Sequence, residues 1–356
     1  GDTSQIAATR TYDRLGRLRT ATSTQTSPTL TSRSELQNFK YTYDRASNVT
    51  FIEDLRDSMD VSIYTFGKNE VHNRDLKYDS LYRLVKATYG TLSATRGEMS
   101  FSYNAIGNLT ERSTKNAAGQ ANPGGEFYEK WLGPMSYNPA RPHAFESAGS
   151  MTGPRWVEAQ YDDNGNMISL EVRNDDELRN VRFAYHWDHY DRLIRADKYD
   201  DAGPTPVPTP VATAIYVYDH AGQRVVKAEY RDGTDRQDTL YVTEGFEVRN
   251  WQYERFVFDG RHRIARIGVA RPKDATGPPE ISDVSRFVYV GDHLGSTSVV
   301  VRDGTGVDAG CVVATTSHLP YGGIEAESGA ELCAGAEGEE WYRFTGKELE
   351  GEFGIY

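Results

Sequence analysis

Cysteine is scarce in this sequence: the 356 residues include only two, Cys311 and Cys333. A disulfide framework of the kind that holds small secreted domains together is therefore excluded. The two thiols either form one disulfide, if the protein works outside the cytosol, or stay as two buried free thiols. A zinc site is also unsupported, because no two further Cys or His ligands stand at the required spacing.

Long apolar runs and a basic surplus are missing as well. No stretch approaches the roughly 18 apolar residues that indicate a membrane span, and no secretory hydrophobic region opens the chain. With 40 Lys and Arg against 52 Asp and Glu, the formal net charge is -12. This charge argues against broad nucleic-acid binding, which needs a basic surface. A net negative charge would attract a basic partner, although a solvated acidic surface is the simpler interpretation.

The sequence is also poor in hydrophobic residues. They make up 38% of the chain, and the mean hydropathy is -0.65, which is low for a compact globule. Helical periodicity is faint throughout, whereas tyrosine is abundant, with 23 residues. A one-layer β-sheet that buries one face and leaves the other in water has this composition.

What the sequence does contain is a repeated unit: an aromatic residue, then Asp or Asn, two free positions, a turn-forming residue, a polar residue and an apolar one. Before the unit, apolar residues alternate with polar or small ones, as at Val181, Phe183 and Tyr185, which is the period of a half-buried strand. Each unit therefore predicts a β-hairpin, and successive hairpins predict one long sheet. The eight copies are Tyr12-Asp13, Tyr43-Asp44, Tyr78-Asp79, Tyr103-Asn104, Tyr161-Asp162, Trp187-Asp188, Tyr218-Asp219 and Phe258-Asp259.

The turn itself depends on two residue types. Asp or Asn caps the turn with its side chain, and glycine supplies a position where φ is positive at no steric cost. The copies with glycine at that position have Gly16, Gly107, Gly165 and Gly222. The other copies have Ser47, Tyr82, Asp191 and His262, which predicts that the turn is not equally demanding everywhere.

The repeats divide the chain into four parts. Residues 1–113 carry four copies, and 114–155 interrupt them with an elaborated hairpin excursion. Repeats resume over 156–302, with an exposed Pro-rich loop at 203–210 that excludes a central strand. Residues 303–356 form a Gly-rich lead-in to the end of the chain.

These units resemble the YD repeats of RHS (rearrangement hotspot) proteins, which include the C component of bacterial ABC (Tc) toxins, polymorphic toxins and the animal teneurins. Three further markers resemble RHS segments in the same order along the chain. They are Arg141-Pro142-His143-Ala144, then Tyr289-Val290-Gly291-Asp292-His293-Leu294-Gly295-Ser296 with Leu319-Pro320-Tyr321-Gly322, then Arg343-Phe344-Thr345-Gly346-Lys347-Glu348 with Glu352-Phe353-Gly354-Ile355-Tyr356. The last marker resembles the opening of the RHS-associated core.

The resemblance implies a long β-sheet that spirals into a hollow shell around the C-terminal toxin of the same polypeptide. It also implies an aspartyl-protease-like self-cleavage near the end of the core. Because the numbered chain stops at Tyr356, inside the opening of the core, we expect it to be a piece of a longer polypeptide whose cleaving residues lie downstream. The partners implied are the rest of the shell, the enclosed toxin, and a B component or secretion-system partner. The implied route is synthesis in the cytoplasm followed by toxin delivery or secretion.

Several residues invite an enzymatic interpretation. Asp292, His293 and Ser296 lie close together, but no nucleophile-elbow sequence accompanies them, and packing around a hairpin turn is the simpler interpretation. A structural hydrogen bond is the simpler role for His143 and His318. The alternating carboxylates Glu348, Glu350 and Glu352 are interpreted as a solvated strand face. Repeated aromatics favour cross-strand packing over sugar stacking.

We therefore predict a noncatalytic segment of a bacterial RHS shell, with no cofactor and no metal. The alternative is an extracellular adhesion or glycan-binding YD-repeat protein of the teneurin type, and a third option is an enzyme on an all-β scaffold. The final strand-like stretch, 341–356, is expected to be a sheet edge that is exposed or covered by another chain.

Overall fold

The computed structural model describes residues 5–26, 34–56, 73–90, 95–116, 118, 134–149, 156–174, 179–201, 209–233, 235–270, 284–303, 310–328, 340–350 and 352–353. These residues form 24 strands and two short 3₁₀ turns, Pro320–Gly322 and Phe344–Gly346, with no α-helix among them. Within the same ranges, nothing helical has the length and apolarity needed to cross a membrane. The prediction of an all-β fold is confirmed.

Eight strands form the first sheet and sixteen form the second. The first sheet contains β1 (Gln5–Tyr12), β2 (Leu18–Thr26), β3 (Ser34–Tyr43), β4 (Val49–Asp54), β5 (Asn73–Tyr78), β6 (Leu84–Gly90), β7 (Thr95–Tyr103) and β8 (Leu109–Asn116). The second contains β9 (Met135–Tyr137), β10 (Phe145–Gly149), β11 (Trp156–Tyr161), β12 (Met167–Asn174), β13 (Arg179–Trp187), β14 (Leu193–Asp201), β15 (Ala212–Tyr218), β16 (Arg224–Arg231), β17 (Asp235–Thr243), β18 (Phe246–Arg249), β19 (Gln252–Asp259), β20 (His262–Val269), β21 (Val284–Gly291), β22 (Thr297–Asp303), β23 (Val312–His318) and β24 (Ile324–Ser328).

Strands occupy each sheet in the order in which they occur in the chain, and neighbours are antiparallel. The change from one sheet to the other falls between β8 and β9, within the interruption at 114–155. Part of that interruption, β9 and β10, is a hairpin of the second sheet. Residues 119–133 and 202–208, which include most of the Pro-rich loop, lie outside the described residues.

One turn geometry recurs at the end of the hairpins. The N–H of the Asp or Asn donates to the carbonyl four residues later (2.9–3.0 Å), and the N–H three residues later donates back to the Asp or Asn carbonyl (3.0–3.2 Å). The Asp79 Oδ1 atom also accepts the N–H groups of Leu81 and Arg83, at 2.9 and 3.0 Å. The side chain therefore satisfies backbone donors that the turn leaves unpaired. This turn begins at Asp13, Asp44, Asp79, Asn104, Asp162, Asp188, Asp219 and Asp292.

The fourth residue of the turn has positive φ whether or not it is glycine. Gly165 has a φ of 95°, while Ser47, Tyr82 and Asp191 have φ values of 73°, 62° and 57°. The prediction of a less demanding turn in the copies without glycine is wrong. The backbone requires the left-handed conformation there, and these three side chains bear its steric cost.

Phe258-Asp259 is the copy that departs from the pattern. Asp259 pairs directly with His262, so β19 continues past the aromatic residue and a two-residue turn joins it to β20. Gly260, with a φ of 61°, supplies the positive φ, and His262 already belongs to a strand. The assignment of His262 to the turn position is therefore wrong, because this hairpin closes two residues earlier.

In most repeats the aromatic side chain links its hairpin to the preceding one by a hydrogen bond. The Tyr43 hydroxyl donates to the Leu18 carbonyl at 2.7 Å, and Trp187 Nε1 donates to the Met167 carbonyl at 2.8 Å. The same contact at Tyr137, to the Leu109 carbonyl at 2.7 Å, identifies a repeat that the sequence pattern missed. Its turn is longer, since Asn138 N–H donates to the carbonyl of Ala144.

Arginine completes the link between hairpins. Arg83 forms an ion pair with Asp79 at 2.7 Å, lies 4.7 Å from the Tyr103 ring centroid, and donates from Nη1 to the Asn104 carbonyl at 3.1 Å. We call this arrangement a clasp. It joins the Asp of one turn to the aromatic residue and the backbone of the next. The other clasps are formed by Arg17 with Asp13 and Tyr43, and by Arg192 with Asp188 and Tyr218.

The two sheets meet where the buried face of the first packs against β21–β23. Leu36 joins Val290, Val299, Val301 and Val312 in one hydrophobic cluster. The alternate residues of these strands form a second cluster, with Phe287, Tyr289, Val300 and Val313. Strands β21–β23 are therefore buried on both faces, which explains their continuous apolar runs. The buried hydrophobic residues form five separate clusters in the described parts of the chain and not one central core.

Candidate functional site

Residues 340–350 and 352–353, here called the strap, cross one face of the second sheet from β22 back to β13. At one end Thr297 Oγ1 donates to the Tyr342 carbonyl at 2.8 Å, and at the other the Phe353 ring centroid lies 6.1 Å from that of Phe183. The expectation of an exposed or partner-covered edge strand at 341–356 is wrong for the described residues. The chain covers this segment with its own sheet, because the segment carries side chains that match the charges beneath it.

The strap contains a turn with the hydrogen bonds of the hairpin turns. Arg343 N–H donates to the Lys347 carbonyl at 2.9 Å, and Gly346, with a φ of 70°, donates to the Arg343 carbonyl at 3.2 Å. Thr345 N–H donates to Ser296 Oγ at 3.1 Å, so this turn lies against the turn after β21. Gly346 and Lys347 therefore shape the strap so that Glu348 points toward the sheet.

Beneath the strap lies the charged bed, which consists of Arg224, Lys227, Tyr241, Glu247 and Arg249. Glu348 is the anion at its centre and is 8% exposed. Arg224 Nη2 lies 2.7 Å from Glu348 Oε2, Lys227 Nζ and Arg249 Nη1 lie 2.9 Å from Oε1, and the Tyr241 hydroxyl donates to Oε2 at 2.6 Å. Three cations and one hydroxyl therefore surround one carboxylate.

Glu350 and Glu352 extend the contact along the sheet. Glu350 is 5% exposed and pairs with Arg224 at 2.8 Å and Lys227 at 3.0 Å. Glu352, which is more exposed, pairs with Arg231 at 2.9 Å. The interpretation of these carboxylates as a solvated strand face is wrong for Glu348 and Glu350, since the bed supplies buried cations that a strand on the surface would lack.

The electrostatics of Glu348 are dominated by its partners. Burial raises the pKa of this carboxyl, but Arg249, Lys227 and Arg224 outweigh burial and lower the pKa to about 2. Burial lowers the pKa of Lys227, and the carboxylates of Glu348 and Glu350 raise it by more. Both groups are therefore ionised at neutral pH. Removing one member of a buried ion pair costs about 3–5 kcal/mol. Without Glu348, Arg224 and Lys227 would keep Glu350, and Arg249 would keep Glu247, so we expect the low end of that range.

Aromatic residues fix the first part of the strap. The Trp341 ring lies 4.5 Å from the guanidinium carbon of Arg249 and 4.5 Å from that of Arg266. Arg263 stacks on Tyr342 at 3.5 Å, and the Tyr342 hydroxyl donates to Glu247. These cation–π contacts hold the strap where it enters the charged bed.

Sequence reasoning missed the charged bed, but a signal for it exists. Lys227, Glu229, Glu247 and Arg249 occupy the alternate positions of β16 and β18 that should be apolar on a buried face. Burial raises the pKa of Glu229, as expected of a carboxyl on the covered side of the sheet. Charges of both signs at inward positions indicate a face covered by another charged segment.

Asp292, His293 and Ser296 each have a structural partner. Asp292 Oδ1 accepts the N–H groups of Leu294 at 2.8 Å and Ser296 at 2.9 Å. The His293 ring centroid lies 5.1 Å from that of Tyr41, in the first sheet. This is the packing around a hairpin turn that the sequence favoured over a hydrolase triad. Gly295, with a φ of 83°, completes the turn.

His143 and His318 differ in their hydrogen bonding. His143 Nδ1 is hydrogen-bonded to Asn108 Oδ1 at 2.8 Å, whereas His318 Nε2 is buried and has no hydrogen-bond partner among the described residues. Pro320 begins the turn after β23, where the Tyr321 hydroxyl meets that of Tyr103 at 2.5 Å. A Cβ atom added to Gly322 would lie 2.9 Å from the Phe344 ring, so glycine is required there.

Cys311 is disulfide-bonded, and Cys333, the other cysteine of the chain, lies outside the described residues. In the part of the chain that the structure describes, no three His, Cys, Asp or Glu side chains come together as a metal site. The residues brought together here bind a segment of polypeptide.

Comparison with known structures places the fold. The chain aligns over 97% of its length, at 14% identity and a TM-score of 0.55, with a chain in the crystal structure of TcdB2-TccC3-Cdc42. The same values hold for a chain in the Photorhabdus luminescens Tc holotoxin pore with a mutated TccC3. The chain spans 16% of the length of each of those chains. At this identity the likeness shows a shared fold.

The sequence matches no protein-family model and no curated protein.

Proposed function

We propose that this chain is part of the wall of a hollow RHS-type β-shell that encloses and protects a toxin segment of the same longer polypeptide. The observation that carries the proposal is the arrangement of 24 strands as two antiparallel meanders in chain order, whose fold matches a part of chains found in Tc toxin assemblies. The ordered RHS markers of the sequence support it.

The proposed mechanism is steric and kinetic. A wall of paired hairpins keeps the enclosed segment away from its targets and from proteases. The clasps, in which Arg17, Arg83 and Arg192 link successive turns, resist separation of neighbouring hairpins. Within each of the two sheets the wall is continuous, because every strand pairs with its chain neighbours in that sheet.

In this proposal the strap is an extended acidic segment that is fixed to the inner face of the wall by its own side chains. Its anchors are the ion pairs of Glu348 and Glu350 and the packing of Phe353 against Phe183 and Tyr185. We further propose that the chain is passive, with no hydrolase, transferase or self-cleaving activity of its own. A toxin-delivery system, with a B component or a secretion-system partner, would carry the assembly to its target cell.

The test uses the complete polypeptide that contains this chain. Limited proteolysis followed by mass spectrometry should find a C-terminal segment that resists cleavage until the shell is unfolded with urea. A matched sample with Glu348→Gln should expose the segment at a lower urea concentration, because the strap is weakened. A C-terminal segment that is cleaved at the same rate in native and unfolded protein contradicts enclosure.

A separate experiment tests passivity. The purified chain, incubated for days at neutral and mildly acidic pH, should keep its intact mass, while a version extended through the core is analysed beside it. Specific cleavage within residues 1–356 would place proteolytic residues in this chain and overturn that part of the proposal.

A further inference from the structure

Apolar side chains form a row across the face of the second sheet that lies opposite the strap. In β16–β18 they alternate with Lys227, Tyr241, Glu247 and Arg249 of the charged bed, so they point to the other side of the sheet. Each member of the row pairs directly with the next one in the neighbouring strand. We call this row the first ladder, and its members on β15–β20 are Val217, Val226, Leu240, Val248, Tyr253 and Val269.

The first ladder is open to solvent. Val217 is 48% exposed and Leu240 is 46% exposed, and the other four members are half-buried. Six strands about 4.8 Å apart make the row about 24 Å long. A single exposed apolar residue is ordinary, whereas a contiguous row of them is typical of an interaction surface.

A second ladder connects this surface to the seam between the two sheets. Val257 lies four residues after Tyr253 on β19, so both ladders share one face. Val257 is 39% exposed, whereas Val301 and Val312, at the other end of the second ladder, are buried with Leu36 of the first sheet. A β-sheet therefore covers one end of this ladder, and the apolar surface continues beyond the covered part. The members of the second ladder on β19–β23 are Val257, Ala265, Val288, Val301 and Val312.

Two exposed arginines lie between the ladders. Arg255 stands between Tyr253 and Val257 on β19, and Arg286 stands between Val284 and Val288 on β21. Each arginine is about 7 Å along its strand from the apolar residue on either side. The cross-strand neighbours of the two arginines are Phe246, Ile267 and Asp303, so this row carries two cations and one anion.

The mixture of residue types favours a separate protein as the occupant. The cluster around Leu36, where two sheets of one chain pack together, is aliphatic. The exposed surface adds Tyr253, Arg255 and Arg286 to the valines, and tyrosine and arginine are enriched at interfaces between proteins. A second copy of this chain, placed by two-fold symmetry, would bring one arginine row against the other, which like charges disfavour.

The order of residues along β19 and β21 specifies the matching surface. Sheets that pack face to face keep their strands within about 30° of each other. A covering strand aligned with β19 therefore meets an apolar residue, an arginine and an apolar residue at every second position. We propose that this face docks a β-sheet of a separate protein whose strands carry a carboxylate between two apolar residues, in the order apolar-x-carboxylate-x-apolar. Because the strap lies on the opposite face, docking leaves the strap in place.

The first test uses three disulfide-cyclised β-hairpin peptides as probes, since an open two-stranded hairpin is marginally stable in water. Each strand reads Val-Thr-Glu-Thr-Val, with Lys in place of Glu in the second peptide and Ser in place of Val in the third. Fluorescence anisotropy with the purified chain should show the Glu hairpin binding about 10-fold more tightly than the Lys hairpin, and the Ser hairpin more weakly than the Glu hairpin. Equal affinity for the Glu and Lys hairpins, or no binding of the Glu hairpin, overturns the proposal.

Variants of the chain locate the contact. Arg255→Glu combined with Arg286→Glu reverses the charge between the ladders, so this double variant should prefer the Lys hairpin. Leu240→Gln should weaken binding of the Glu hairpin about 10-fold, whereas Leu15→Gln, at an exposed leucine of the first sheet, should leave it unchanged. Circular dichroism shows whether each variant is folded, and the double variant, at two exposed positions, decides the question if Leu240→Gln unfolds. An unchanged preference in the double variant overturns the site.

Two further measurements test the other occupants. Sedimentation equilibrium should show a monomer at the concentrations of the hairpin titration, and a dimer that Leu240→Gln dissociates would assign the face to a second copy. Flotation with vesicles of phosphatidylserine and phosphatidylcholine should recover no chain, and recovery that the double arginine variant abolishes would assign the face to an anionic membrane. Either assignment overturns the protein partner.

Discussion

The clasps and the charged bed use the same residue types for different purposes. In a clasp, Asp79 and Arg83 are four residues apart, partly exposed, and repeated with small changes from hairpin to hairpin. In the bed, Glu348 meets Lys227 across 121 positions of sequence, and both are buried. Solvent and salt screen the first kind of ion pair strongly and the second kind much less. Each clasp therefore adds a small stabilisation to the sheet, and the clasps are repeated. The strap, by contrast, is held mainly by the one buried ion-pair network around Glu348.

The largest effect should come from breaking the bed. Glu348→Gln leaves Arg224, Lys227 and Arg249 without their shared anion, so the free energy of unfolding should fall by about 3 kcal/mol. Urea unfolding at pH 7 measures it, and hydrogen exchange over the strap shows whether the strap opens first. Glu352→Gln, at the more exposed end of the strap, is the matched control. Equal losses in the two variants would contradict the central place of Glu348.

The difference in unfolding free energy between wild type and Glu348→Gln should depend on pH. The pKa of Glu348 is lowered to about 2 in the folded chain, so its stabilisation is complete above about pH 4.5 and is lost as the pH falls through 2. The gap in unfolding free energy between wild type and Glu348→Gln should therefore narrow from pH 4.5 downward. Urea curves at pH 7, 4 and 2.5 measure the gap. A constant gap would mean that the Gln variant is destabilised by lost packing and not by lost charge.

Breaking one clasp should cost less. Arg83→Ala removes a partly exposed ion pair, a cation–π contact and one hydrogen bond, and should lower the free energy of unfolding by about 1 kcal/mol. Half of that loss or less should remain in 1 M salt, since the ion pair is screened. Arg14→Ala, at an exposed arginine of the first turn, is the control and should change little. A loss as large as that of Glu348→Gln would remove the distinction between clasp and bed.

The smallest effect should be a gain. Tyr82 is exposed and has a φ of 62°, so Tyr82→Gly should raise the free energy of unfolding by about 0.5 kcal/mol by relieving the left-handed strain. Tyr82→Ala keeps the strain and is the control. The mirror change, Gly165→Val, introduces that strain and should destabilise by about 1 kcal/mol or more. Thermal melts of the three variants measure the effects, and equal values for Gly and Ala at 82 would contradict a strained turn.

The hairpins were predictable because their causes are local. The alternation before Trp187, and the Asp188 that caps the following turn, lie within a few residues of the contacts they make. Tyr137-Asn138 escaped the pattern because its turn is longer. Phe258-Asp259 matched the pattern but closes earlier, since Gly260 permits a two-residue turn. The spacing of the repeat residues therefore predicts hairpins that have the common turn, and it mispredicts hairpins whose turn is longer or shorter.

The sequence by itself determined the strand class, the hairpin unit and the net negative charge, because alternation and turn capping act over a few residues and charge follows from composition. Only the tertiary structure decided that Glu348 and Glu350 are buried ligands of the charged bed. It also decided that β21–β23 are covered on both faces. These outcomes depend on segments separated by more than a hundred residues. No local pattern specifies which surfaces such segments bring together, because sheet curvature and burial set that choice.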